Sequence, residues 1–211
     1  MTSDDVFFQL LNTLQPVELT SELLEHAYRS SFFPMAQFDG LIGWHSPDPR
    51  AVFPLHTLEF SKSLRKVIGS GVYTVRVNTV FSDVVRACSR RDSAHPDDVW
   101  ISDEIIEAYT RLNEEGHAHS VETWCEGELV GGLYGVTFGG AFFGESMFSH
   151  KSNASKVAFA ALVERLRARR FVLLDSQYAN HHTLQLGAVE ISREEYLELL
   201  HIALSSECTF D

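Results

Sequence analysis

Asp175, Ser176 and Gln177 close an apolar run, Phe171-Val172-Leu173-Leu174. On a strand, residues i and i+2 face the same way, so a carboxylate and a primary amide would stand side by side there. The amide offers donors and an acceptor, and the carboxylate can draw off a proton directly or by relay, which suits an amine nucleophile. A carboxylate set behind four apolar residues needs partners or water, because an unpaired buried charge is costly. The same Asp could also simply cap the next turn. A second carboxylate, Glu145, sits between Gly144 and Ser146, flanked by Phe142, Phe143, Met147 and Phe148. Strand alternation permits a solvent-facing Glu145 with the aromatics behind it. The alternative is an anion built into a binding site.

A third segment, SFFPMAQFDGLIGWHSPDPR at residues 31–50, is dense in aromatics, Pro and Gly. Exposed aromatics can stack bases and Arg50 can pair with a phosphate, although a packed loop between two lobes has the same composition. Basic residues fall into small groups: Lys62, Arg65 and Lys66; Arg86, Arg90 and Arg91; Lys151 and Lys156; Arg165, Arg167, Arg169 and Arg170. Such groups make either phosphate contacts or solvated helix faces. His117 with His119, and His181 with His182, lack a Glu or Cys at metal-ligand spacing, so no metal site is expected. Neither G-x-x-x-x-G-K-[ST] nor G-x-G-x-x-G occurs, so nothing supports ATP or dinucleotide binding. Acyl transfer here would have to start from a donor already activated.

These residues need elements to hold them. Residues 18–30 have apolar positions at helical spacing. The stretch Phe32–Pro54 reads as irregular. A short basic helix is expected near Leu58–Ile68, a strand over 71–78, and helices over 82–90 and 101–115, the last stopped by Gly116. AHSVETWC and ELVGGLYGVTF read as a hairpin, Gly139-Gly140 as a turn, and AFFGESMF as a further strand. Residues 153–169 read as a helix, FVLLDSQ as a short buried strand, and Ser192-Arg193-Glu194-Glu195 as a capping box opening a last helix. The result is a mixed α/β architecture from about residue 61 on, with a smaller unit over 1–60.

The bulk properties agree. The chain has 211 residues, 45% apolar and 22% charged, with a formal charge of −12. That excludes a chain basic throughout, but not a local basic patch. Cys88, Cys125 and Cys208 are odd in number and far apart, so neither a disulfide framework nor structural zinc is expected. Cys125, beside Trp124, reads as core. No run reaches the ~18 apolar residues of a membrane span, and MTSDDVFFQLL lacks the basic start of a signal peptide. The expected setting is the cytoplasm, with no membrane contact.

Ordered motifs then carry a resemblance: FFP at Phe32–Pro34, WHSPDPRAV at Trp44–Val52, WI at Trp100–Ile101, and AY..LN..GHAHSVE from Ala108 to Glu122. LVGGLYGV at Leu129–Val136, GESMFS..SNASK from Gly144 to Lys156, LLDSQ..N.H at Leu173–His182 and LGA..I.R..Y from Leu186 to Tyr196 continue it. In this the chain resembles the leucyl/phenylalanyl-tRNA–protein transferase family. The resemblance implies a GCN5-related N-acetyltransferase-like domain over 61–211 and a small N-terminal domain over 1–60. It implies transfer of leucine or phenylalanine, and sometimes methionine, from aminoacyl-tRNA to proteins beginning with Arg or Lys, which marks them for N-end rule degradation. No cofactor is implied.

By the same resemblance, Gln177 would hold the amine, Asp175 would draw off its proton, and Glu145 would bind the donor end or the cationic acceptor. Trp100, Phe142, Gly144, Ser146, Leu174, Asn180, His182 and Trp44 would contact the substrates. The basic residues Arg165, Arg167, Arg169, Lys62 and Arg65 would meet the tRNA. Met35 stands where the family commonly carries a Trp near the tRNA 3′ adenosine, with Trp44 or Phe38 available in its place; Ser176 and Gln185 replace a usual Cys and Ser. The pyrophosphate loop [QR]-x-x-G-x-[GA] of acyl-CoA-using relatives is absent. The competing readings are a non-catalytic binder of basic N-termini and an acyltransferase with another donor.

Overall fold

The computed structural model describes residues 2–14, 16–37, 40–89 and 101–211. Phe38, Arg90, Arg91 and Trp100 lie outside them. The N-terminal stretch opens with α1 (Ser3–Leu11), which Thr2 and Asp5 start with a reciprocal capping box, and α2 (Ser21–Arg29), capped by Thr20. The stretch expected to be irregular instead forms three short strands: β1 (Phe33–Ala36), β2 (Ile42–His45) and β3 (Arg50–Phe53). Strands β1 and β2 make a two-stranded ribbon with Pro34 opposite Trp44. A two-stranded ribbon tolerates the missing N–H of proline.

The remaining elements are α3 (Lys62–Gly69), β4 (Thr74–Val77), α4 (Phe81–Ser89), α5 (Asp103–Glu114), β5 (Ala118–Cys125), β6 (Glu128–Phe138) and β7 (Ala141–Ser149). After them come α6 (Ala154–Ala168), β8 (Leu173–Gln177), α7 (His181–Gln185), β9 (Val189–Ile191) and α8 (Arg193–Leu204). Helices α4, α5, α6 and α8 and strands β5, β6, β7 and β8 follow the sequence periodicities closely, β4 and α3 are shorter than expected, and α7 and β9 carry no periodicity that announced them. The fold is mixed α/β. Its seven-stranded sheet has the order β4-β5-β6-β7-β8-β3-β9, so it takes β3 from the stretch before residue 60. Neighbours run antiparallel except β7 and β8, which are parallel.

Two apolar clusters cover the two faces of the sheet. One gathers Leu24, Tyr28, Val84, Ile105, Tyr109, Phe143, Leu173 and Tyr196 under α2, α4, α5 and α8. The other gathers Phe53, Leu133, Phe142, Phe159, Leu162 and Leu174 under α6. Alternation along β7 and β8 sends Phe142 and Leu174 to the α6 face and Phe143 and Asp175 to the opposite one.

Candidate active site

Three irregularities of the sheet build the site, one of them on β8, where Val52 pairs with Asp175 and Ala51 with Gln177, leaving Ser176 as an extra residue. On β7, Gly144 pairs with Gly135 and Ser146 with Tyr134, leaving Glu145 as the extra residue of a β-bulge. Such a bulge re-aims a side chain. Gly135 is required beside it, because a Cβ there would lie 2.3 Å from the Phe143 carbonyl oxygen and 2.4 Å from the Phe142 ring. The third irregularity is that β7 and β8 pair only from Ala141–Phe143 to Leu173–Asp175. Beyond that pairing lies a cavity of about 560 Å³, walled by residues 144–149 of β7 and by 174–177 at the end of β8. Leu133, Met147, Phe159, Leu162 and Leu174 supply an apolar wall, and Glu145, Gln177, Asn180 and His182 supply polar groups. A volume of this order takes a small ligand, and mixed apolar and polar walls are usual for such sites.

Glu145 is half-buried at the cavity wall rather than on a free sheet face. Tyr28 donates to its Oε1 at 2.8 Å, Tyr109 to its Oε2 at 3.3 Å, and the Gln177 amide to its Oε1 at 3.0 Å. The Tyr28 and Tyr109 hydroxyls also bond each other. Burial pushes the Glu145 carboxyl up to about 7; the nearby Asp175 charge adds to the rise, while the tyrosine hydrogen bonds and Arg50 oppose it. A group with that value takes and gives protons near neutral pH.

Asp175 finds the partner that its burial demands. Arg50 and Asp175 are 1% and 0% exposed and form an ion pair, Nη2 to Oδ2 at 2.7 Å and Nε to Oδ1 at 3.0 Å. Tyr196 donates to Oδ2 at 2.7 Å, and the backbone N–H of Gln177 donates to Oδ1 at 2.9 Å. Thus Asp175 does cap the following turn. Burial alone would weaken the hold of Arg50 on its proton; the Asp175 charge more than reverses this. The expected phosphate contact by Arg50 is therefore replaced by an internal pair. Gln177 adopts a left-handed backbone, φ 59°, which turns its amide away from the Asp175 side chain and toward Glu145.

A family profile described as "Leucyl/phenylalanyl-tRNA protein transferase" matches residues 52–201, and the N-terminal domain profile of the same family matches 17–48. The chain belongs to the leucyl/phenylalanyl-tRNA–protein transferase family. It is 55% identical over 195 residues to the transferase of Gloeobacter violaceus, covering 92% of this chain and 98% of that one. It is 50% identical to that of Rubrobacter xylanophilus, covering 92% and 100%. Among solved structures, the L-PGS of Bacillus licheniformis aligns at 14% identity and a TM-score of 0.43, over 86% of this chain and 62% of that one. The family makes this chain an aminoacyltransferase, and its name makes aminoacyl-tRNA a partner.

Of the residues singled out from the transferase resemblance, the cavity gathers Gly144, Glu145, Ser146, Leu174, Asp175, Gln177, Asn180 and His182. Asn180 caps α7, accepting from Thr183 N at 2.9 Å, and the His182 Nε2 lies 3.1 Å from the Met147 sulfur. Phe142 is fully buried in the cluster under α6 and does not line the cavity. It points to the same α6 side as Leu174, but it lies within the β7–β8 pairing and packs against Phe210, so Met147, Phe159 and Leu162 supply the wall instead. Trp44 is buried against Phe8 and borders a separate cleft with Asp5, Asn12 and Arg193. Trp100 lies outside the described residues.

The basic residues divide. Arg165 donates to the Phe210 carbonyl at 2.7 Å and pairs with Asp211. Arg167 donates to the Leu55 carbonyl at 2.6 Å and pairs with Glu164. Both guanidiniums thus hold the fold together. Lys62, Arg65 and Arg169 are exposed. Sequence reasoning missed Tyr28 and Tyr109 as partners of Glu145. Both read as residues of amphipathic helices, and nothing local places either beside β7.

Proposed function

We propose that the chain transfers leucine or phenylalanine, with methionine as a further donor, from aminoacyl-tRNA to the N-terminal α-amine of proteins that begin with Arg or Lys, marking them for N-end rule degradation in the cytoplasm. The observation that carries this reading is Glu145 beside the Gln177 amide at an apolar cavity. The leucyl or phenylalanyl side chain fits against Leu133, Met147, Phe159 and Leu174. An apolar wall of this kind discriminates by about 1–3 kcal/mol per methylene, enough to favour large apolar side chains over small ones.

The donor ester is already activated, and an α-amine has an unperturbed pKa of about 7.7–8.0, leaving a neutral fraction near pH 7. In the proposed reaction, the neutral amine nitrogen, held by the Gln177 amide oxygen, attacks the ester carbonyl. The C–N bond forms, the nitrogen gives its proton to the Glu145 carboxylate, and the bond to the ribose oxygen breaks. Glu145 passes that proton to the ribose oxygen, which leaves as the tRNA hydroxyl, and Glu145 is restored as the carboxylate. Glu145 is better suited than Asp175 to take the proton, because the Asp175 oxygens already accept from Arg50, Tyr196 and Gln177. Before reaction, Glu145 is also the carboxylate available to a cationic first residue, and the net charge of −12 favours approach of a basic N-terminus.

The test is transfer of labelled leucine and phenylalanine, separately, from charged tRNA to an Arg-initiated peptide, with a Glu-initiated peptide as control. Transfer to the Arg peptide alone supports the reading and ranks the donors. No transfer to either peptide sinks it.

A further inference from the structure

We propose that Arg50 is a positioning residue for the transfer, holding Asp175 as a clamp on the Gln177 backbone rather than leaving Asp175 to take the proton. The inference rests on the reading of Glu145 and Gln177 as the groups at the amine.

Arg50 is built in on all sides. Its guanidinium carbon lies 4.8 Å from the centre of the Phe33 ring and 4.6 Å from that of Tyr196. Its Nη1 donates to the Ser31 carbonyl at 3.1 Å. Nε and Nη2 donate to the two Asp175 oxygens. With Tyr196 on Oδ2 and the Gln177 N–H on Oδ1, Asp175 accepts from four donors. An ionised carboxylate offers about four lone-pair sites, so Asp175 keeps none for an incoming ammonium.

The Gln177 N–H is the consequential donor. An aspartate that accepts from the N–H two residues on makes a local turn. Here that turn works with the β8 bulge at Ser176, where Val52 pairs with Asp175 and Ala51 with Gln177, to hold Gln177 at φ 59°, a region a Gln seldom adopts unaided. From that backbone the amide reaches Glu145 at 3.0 Å. Released by Asp175, Gln177 has only the bulged pairing with Ala51 to hold that backbone, and its amide is freed from Glu145. Arg50 thus acts on the site through two intermediaries, Asp175 and the peptide N–H.

The experiment compares Arg50→Gln, Asp175→Asn and the double variant in leucine transfer to an Arg-initiated peptide. The readouts are kcat and KM for the peptide, the pH–rate profile, and hydrogen exchange of the Gln177 backbone amide by NMR. Each single variant leaves an uncompensated buried group, frees the Gln177 amide to exchange, and lowers kcat about 100-fold, the scale of a small misplacement at a reacting centre. The double variant keeps a neutral amide–amide contact; it restores slow exchange and brings kcat back to within about tenfold of wild type, with the acid limb in place. A double variant that folds and protects the amide yet transfers no better than Asp175→Asn would overturn the proposal, since the Asp175 charge would then be needed at the chemistry. Single variants with wild-type kcat would overturn it too.

Tyr196→Phe guards against misfolding of the charge variants, since it removes one donor to Asp175 without changing charge. It is expected to lower kcat a few-fold with the acid limb unmoved. An upward shift of that limb would put Asp175 on the proton path and overturn the clamp. If wild-type protein transferred nothing, the functional reading would fail by itself. Exchange at Gln177, which needs no turnover, would still test the clamp: fast exchange in wild type overturns it, and slow exchange lost in Arg50→Gln upholds it.

Discussion

In the proposed reaction Glu145 takes the proton, and it does so at a cost to the fold. Its carboxyl is pushed from the ordinary 4.5 up to about 7, burial being the main cause. A folded-state value above the unfolded one means that the native protein holds a proton that the unfolded chain has released. Stability is therefore present below about pH 4.5 and declines as pH rises to about 7. Glu145→Gln removes that cost. It should raise stability by about 1–2 kcal/mol above pH 7, with the gain vanishing toward pH 5, while abolishing transfer; urea unfolding at the two pH values checks the first part. Tyr28 bears on the same group, because its hydrogen bond lowers the Glu145 value. Tyr28→Phe should move the acid limb of the pH–rate profile upward by about half a unit, and a limb that stays in place would detach Glu145 from the rate.

At the level of elements, the site exists because three strand pairings stop being regular at one place. The bulge on β7 puts Glu145 under α2 and α5, and the end of the β7–β8 ladder opens the cavity. Gly135→Ala drives a methyl group into the Phe143 carbonyl and the Phe142 ring. It should destabilise by about 2–3 kcal/mol and lower transfer at the same time, both measurable on one preparation. Helix α8 starts at Ser192, whose hydroxyl accepts from Glu195 N while the Glu195 carboxylate accepts from Ser192 N. Helix α8 also carries Tyr196 to Asp175. Ser192→Ala should cost about 1 kcal/mol by thermal unfolding, with a smaller effect on transfer than Tyr196→Phe.

Over the whole molecule, the acidic balance leaves few cations for nucleic acid. Arg165 and Arg167 are committed to the carbonyls of Phe210 and Leu55, so Arg167→Ala should lower stability by about 1–2 kcal/mol and leave the salt dependence of tRNA binding unchanged. Lys62, Arg65 and Arg169 are exposed and stay candidates for phosphate contact. Replacing those three together by Ala should weaken tRNA binding and flatten its slope against salt by about one charge for every phosphate left unneutralised; an unaltered slope would move the interface elsewhere on the surface. Among the described residues, no helix is long and apolar enough to cross a membrane.

What the sequence determined by itself was local or ordered along the chain. Periods of 2 and 3.6 residues marked β5, β6, β7, α5 and α6 within a residue or two, because each buries one face and the pattern of that burial is written in consecutive positions. The Ser192-x-x-Glu195 capping box that opens α8 is equally local. The order of the motifs pointed to the family, and Asp175, Gln177 and Glu145 stood out as charges or amides in apolar runs. Tertiary structure alone decided what those groups do. Arg50 meets Asp175 across 125 positions of sequence, and Tyr28 meets Glu145 across 117. No periodicity records contacts of that range, since they arise from the packing of separate elements. The same packing buried Phe142, tied Arg165 and Arg167 to the Phe210 and Leu55 carbonyls, and folded β1, β2 and β3 from a stretch whose prolines read as irregular. The strands that hydrogen-bond to β3, namely β8 and β9, lie more than a hundred residues downstream of it, and only their arrival makes a strand the best place for those residues to be.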